Sequence, residues 1–345
     1  MAPLALVKPD FRHNLIASLE STFSAKSWKQ FSSVVKKTKA LEVSFDLNLA
    51  FPWDLSQALN FILACHEQKL KPSTIQVYIS KVKSLHQMLS QPWHDSHWLK
   101  LLLRGITNSK NPRTVTRRAM TVDLLRNFKE KLISSTLSLK KKRLVWLAST
   151  LLFNGCLRGA EVFCPTESTF SLSETLLSAD VVLSKTFING KFYRILSVTL
   201  KNTKESKGPS SCVIELFEIN QFYCPVSAYI KFVKEVGSTD PNLPLLQLDN
   251  KGLTTNAFNK ILKDVLGQDA DNLSSHSFRA GLVTSLVRAG ASDEMIQATG
   301  RWSSQAFQCY MKKTRINRIR DQLTLSRNMA KLSKTWKPGS ILVQD

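Results

Sequence analysis

The chain has 345 residues, 43% hydrophobic, which is long and apolar enough for two domains with separate cores and excludes wholesale disorder. Forty-eight Lys and Arg stand against 26 Asp and Glu, a formal net charge of +22 that favours a polyanionic partner, because each neutralised phosphate releases condensed counterions. No run reaches the about 18 apolar residues of a membrane span, and no basic amphipathic helix stands apart from a core-forming pattern, so a membrane is not an expected partner.

Residues 11–110 read as helical. Trp28, Phe31, Val34 and Val35 recur at helical spacing, followed by Lys36, Lys37 and Lys39. Asp54 is an N-cap candidate for a helix carrying Leu55, Leu59, Ile62 and Leu63 on one face. Pro72 and Ser73 open the next helix, beside Lys71, with Ile75, Ile79, Val82 and Leu85/Leu89 as its stripe. HDSHWLKLLLRGITNSK supplies a fourth and runs into a polar stretch. The pattern predicts a helical domain over 1–112, a basic linker over 113–118 containing Arg113, Arg117 and Arg118, and a second domain over 119–345.

In that second domain TVDLLRNFKEKL and KKKRLVWLASTLLFNGCLR read as helices, the latter apolar enough to be a core helix. Three strand-like runs follow, SADVVLS, KFYRILSVTL and SCVIELF, with a hairpin signal at Asn189-Gly190 and a longer turn through KESKGPSS. The remainder from PVSAYIKFV onward is mostly helical, so the fold class is mixed α+β, mostly helical, with a small antiparallel sheet. Six cysteines lie scattered in apolar segments without a C-x-x-C pair, the usage of reduced, buried thiols in a nuclear or cytosolic protein. The apolar run in MAPLALVKPDFRHN is too short for a cleaved secretory leader.

The chemistry concentrates between Ser274 and Tyr310. His276 and Arg279 fall one helical turn apart and can aim at one point. Gly300-Arg301-Trp302 follows, then Tyr310. A cation, an imidazole, an indole donor and a phenol in one place suit attack on a phosphodiester, the donors holding the non-bridging oxygens while the phenol oxygen attacks phosphorus. Each member alone has a plainer role: a helix-cap histidine, a core tryptophan, a packing tyrosine. His94-x-x-His97 has metal-like spacing, but no thiol or carboxylate cluster completes a site. Phosphate-loop and dinucleotide glycine motifs are missing, and so is a two-metal carboxylate cluster, so no cofactor or metal is expected.

The set resembles the tyrosine recombinase (phage integrase) family. Its H-x-x-R box matches at His276 and Arg279, its histidine-or-tryptophan position at Trp302, and its nucleophile at Tyr310. LLFNGCLRGAEVF (151–163) is similar to its first arginine box, with Arg158 as the arginine and Glu161 as a supporting carboxylate. Lys204 best matches its hairpin lysine, the general acid, with Lys201 and Lys207 close enough to compete. The resemblance covers about residues 113–335 well and 11–112 in outline. It implies a DNA-clamping core-binding domain followed by a catalytic domain. The activity implied is cleavage and rejoining of double-stranded DNA through a 3′-phosphotyrosyl link, by a homotetramer acting on two sites through a Holliday junction.

Trp302, in T-G-R-W where most bacterial members have L-G-H, resembles Cre and the recombinases of eukaryotic mobile elements such as DIRS-like retrotransposons and cryptons. The Trp302-to-Tyr310 gap is one residue shorter than the bacterial pattern, which leaves delivery of the tyrosine in cis or in trans open. Lys36, Lys37, Lys71, Arg113, Arg117, Arg118 and Arg301 are the expected DNA-backbone contacts. The tail over 311–335 is expected to dock on a neighbouring protomer or on its own domain. Two alternatives remain: a sequence-specific DNA-binding protein without turnover, and relaxation of the type IB topoisomerase kind.

Overall fold

The computed structural model describes residues 22, 25–109, 118–201, 212–237, 240–302, 304 and 308. The chain divides into two compact units, residues 1–115 and 116–345. Of the expected linker, Arg118 is described, whereas Arg113 and Arg117 lie outside the described residues.

Four helices build the first unit: α1 (Ala25–Phe45), α2 (Leu55–Glu67), α3 (Pro72–Met88) and α4 (His97–Ser109). Asp54 Oδ1 accepts from the Gln57 N–H at 2.8 Å, and Gln57 Oε1 accepts from the Asp54 N–H at 2.8 Å. This reciprocal box satisfies two otherwise orphaned donors and fixes where α2 starts. The buried stripe of α2 is Ala58, Phe61, Ile62 and Cys65, so Leu63, expected inside, is 46% exposed. The phase is set by Phe61, whose ring lies 4.9 Å from that of Trp53. In α3 the last buried position is His86, not Leu85 or Leu89. Its Nε2 accepts from the Trp53 N–H at 3.1 Å while Nδ1 meets the Pro92 carbonyl at 2.6 Å, so a ring donating at Nδ1 satisfies both.

The second unit opens with α5 (Val122–Ser134) and α6 (Leu139–Asn154). Every α6 residue from Leu144 to Phe153 is buried, as a helix apolar all round must be. It packs against α8 (Pro225–Val236) and α10 (Ser275–Arg288). Between them come the single turn α7 (Gly159–Val162) and an antiparallel sheet of β1 (Val181–Ile188), β2 (Lys191–Leu200) and β3 (Cys212–Phe217), in the order β1-β2-β3. Asn189 and Gly190 turn the first hairpin with φ of 49° and 80°, the left-handed pair that a tight two-residue loop needs. Leu196, Val198 and Leu200 alternate inward from β2. A two-stranded β4 (Gln247–Leu248) and β5 (Lys251–Gly252), then α9 (Thr255–Leu266) and α11 (Asp293–Gly300), complete the described α-helices and strands.

Residues 118–120 run along α10. The Met120 N–H donates to the Ser277 carbonyl at 2.9 Å, and a Cβ on Gly281 would sit 1.9 Å from the Met120 carbonyl oxygen. Glycine at 281 is therefore what lets this segment lie against the helix that carries His276 and Arg279.

Candidate functional site

The site is assembled by three turns. The first ends α6: Cys156 takes φ 49°, reversing the chain so that Arg158 precedes the short α7. The second is the start of α10, where the Ser277 hydroxyl oxygen accepts from the Ser274 N–H at 3.1 Å and the helix then places His276 and Arg279 one turn apart. These two turns touch, since a Cβ on Gly159 would lie 3.1 Å from the Ser275 hydroxyl oxygen. The third ends α11, where Arg301 adopts a left-handed conformation (φ 55°, ψ 45°) and sends the chain back over Gly300.

Arg279 is 1% exposed. Its NH1 donates to the Cys156 carbonyl, and its NH2 to the Gly300 carbonyl at 2.8 Å. The guanidinium carbon lies 4.2 Å from the centroid of the Trp302 ring, a cation–π stack in a water-poor setting. Trp302 packs in a small cluster with Cys156, Val283 and Ile296. A single buried arginine thus ties the three turns together.

Beside it Glu161, 8% exposed, holds two arginines. Its Oε1 accepts from Arg158 NH1 at 3.0 Å, and Oε2 accepts from the Arg158 backbone N–H at 2.8 Å and from Arg301 NH2 at 3.1 Å. Three guanidinium groups against one carboxylate leave an excess of positive charge. Burial pushes the Cys156 thiol up to about 11, with Arg279, Arg301 and Arg158 pulling it down and Glu161 pushing it up. All four charged groups therefore crowd one buried point. Half-buried His276 shares the helix with Arg279. Such a cluster can bind an oxyanion and stabilise charge developing on it.

Arg158, Glu161, Arg279, Arg301 and Trp302 are brought together, with His276 on the adjoining turn. Lys204, Lys207 and Tyr310 lie outside the described residues. The competing Lys201 lies just past β2, where it pairs with Asp180 Oδ2 at 2.7 Å and donates to the Leu172 carbonyl at 3.0 Å. Among the expected backbone contacts, Lys36 and Lys71 are exposed, and Lys37 donates to Gln68 near the start of α3. Exposed Arg118 donates through NH1 to the Asp269 carbonyl at 3.0 Å. Arg301, expected to contact the DNA backbone, is half-buried and donates through NH2 to Glu161. The carbonyl anchors of Arg279 at Cys156 and Gly300 leave no side-chain signature. The Gly-Arg-Trp triplet was the available hint, since a tryptophan folded back on its own turn needs glycine beneath it.

No protein-family model matches the sequence, and no curated protein matches it either. Solved structures do match by shape. One is the Tn1549 transposon integrase in complex with transposon right end DNA, at TM-score 0.58 and 14% identity over 92% of this chain and 97% of that one. A second is the XerH site-specific recombinase bound to palindromic difH substrate in a post-cleavage complex, at TM-score 0.57 and 15% identity over 86% of this chain and 78% of that one. At such identities the likeness is one of fold. The chain has the core-binding plus catalytic fold of tyrosine recombinases and integrases.

Proposed function

We propose that this protein breaks and rejoins DNA strands through Tyr310. The observation that carries the reading is the convergence of Arg158, Arg279 and Trp302 from separate turns, with His276 one turn from Arg279. In the proposed reaction the Tyr310 phenol gives its proton to His276 as its oxygen attacks the scissile phosphorus, and the P–O bond to the 5′-oxygen breaks. A proton from Lys204 goes to that oxygen. The resulting 3′-phosphotyrosyl bond keeps the energy of the phosphodiester, so a partner's 5′-hydroxyl can reverse the step without a nucleotide or a metal. Arg158 and His276 donate to the non-bridging oxygens, which suits phosphoryl transfer, where positioning and charge stabilisation dominate. Basic residues of both units, among them Lys36, Lys37, Lys71 and Arg118, contact the backbone. A tetramer on two sites, a role in mobile-element integration or excision, and a nuclear location complete the proposal.

One observation favours a second reading, DNA binding without turnover: Arg279 is buried, with NH1 and NH2 both committed to carbonyls. Incubation with a randomised pool of nicked duplexes, followed by sequencing of detergent-resistant adducts, separates the two. Adducts formed by the parent but not by Tyr310→Phe support the enzyme. Binding without adducts, across a salt series, supports the binding protein.

A further inference from the structure

Glu161 is shared by two arginines, Arg158 three residues before it and Arg301 140 residues after it. Alone, the Arg158–Glu161 pair is neutral, and a neutral pair holds a phosphate poorly. Arg301 changes this balance: with it the group carries one net positive charge. A purely structural arginine saturates its donors. Arg301 spends NH2 on Glu161, while its Nε and NH1 are buried and have no hydrogen-bond partner among the described residues. Its backbone also sits in the left-handed region that side chains other than glycine enter at a cost. Both features fit a residue retained for its charge at this spot rather than for a completed hydrogen-bond network.

We propose that Arg301 is a positioning residue that acts through Glu161: it neutralises the carboxylate and so leaves the charge of Arg158 available to the DNA phosphate. It does this without touching the phosphate itself. The inference rests on the reading of Arg158 as a phosphate ligand.

The test uses the full chain and a fluorescently labelled random-sequence duplex, with affinity measured by anisotropy over a series of salt concentrations. Arg301→Met should weaken binding roughly tenfold and make the log–log salt slope shallower by about 0.9, the contribution of one phosphate. Adding Glu161→Gln to Arg301→Met removes the carboxylate that Arg301 had balanced. The double variant should regain the parent slope and most of the affinity. Arg301→Lys, which keeps the charge and loses the fork, should stay near the parent slope.

A double variant no better than Arg301→Met, or a folded Arg301→Lys that behaves like Arg301→Met, would overturn the proposal in favour of a structural arginine. So would a parent slope in folded Arg301→Met. The slope counts phosphates rather than turnover. A protein that shows this charge rescue but forms no adduct through Tyr310 would sink the enzymatic reading and leave this inference standing. Adducts with a charge-blind slope would do the reverse.

Discussion

The Arg279 guanidinium stacks on the Trp302 ring at 4.2 Å and donates to the carbonyl of the residue two before Trp302. Arginine and tryptophan therefore hold each other, and the turn between α11 and the segment bearing Tyr310 depends on both. Trp302→Ala removes a large ring from a buried cluster and should cost about 3–5 kcal/mol in the second unit, by denaturant unfolding. Trp302→Phe should cost clearly less, because a ring remains over Arg279. Arg279→Lys leaves at least one of the Cys156 and Gly300 carbonyls without its donor and should cost about 1–3 kcal/mol. Equal losses for Trp302→Ala and Trp302→Phe would show that the stack contributes nothing.

Gly300 and Gly105 make a matched pair. A Cβ on Gly300 would fall 1.6 Å from a carbon of the Trp302 ring, whereas one on Gly105 meets nothing within 4 Å. Gly300→Ala should displace the indole, shift tryptophan emission and destabilise the unit by about 1–3 kcal/mol or more. Gly105→Ala, within α4, should instead stabilise the first unit by about 0.5–1 kcal/mol. Opposite signs in the two unfolding transitions are the expected result.

Burial pushes the thiols of Cys65 to about 12, and of Cys156 and Cys164 to about 11. An unfolded cysteine titrates near about 8.5. Because the folded values are raised, the stabilisation is fully present below about pH 8.5 and is lost as the pH climbs towards 11. The denaturation midpoint should fall between pH 8 and pH 10.5, and the fall should shrink in Cys156→Ala. These three thiols should also resist alkylation in the native protein, while half-exposed Cys212 reacts faster than any of them.

Lys37 of α1 donates to Gln68, three residues before Lys71 at the start of α3, and exposed Lys36 precedes Lys37 in α1. Replacing all three by glutamine should flatten the salt dependence of duplex binding by about 2–3 in slope. Stability should change by no more than about 0.5 kcal/mol per exposed site. An unchanged slope would remove this surface from the DNA interface.

The helices and the sheet were readable because their signals are local. Asp54 with Gln57, Pro72, Asn189-Gly190 and the largely apolar run from Leu144 to Phe153, broken only by Ser149 and Thr150, each act within a few residues. Stripe phases were harder. Phe61 and Trp53 turn α2 so that Leu63 faces out, and His86 takes a core position because Trp53 and Pro92 give it two partners. The site's charged residues were legible as a set, through their types and order. Their linkage was not. Arg279 binds main-chain carbonyls, which every residue offers, and Arg301 reaches Glu161 only because its own backbone turns left-handed.

The central claim is that Tyr310 carries the cleaved strand. The direct measurement is to form adducts on nicked duplexes, digest the DNA with nuclease, and locate the remaining nucleotide on the chain by tandem mass spectrometry. A nucleotide attached through phosphate to Tyr310, absent from Tyr310→Phe and from Arg158→Ala, is the predicted result. Attachment at another residue, or adducts that persist in Tyr310→Phe, would contradict the account.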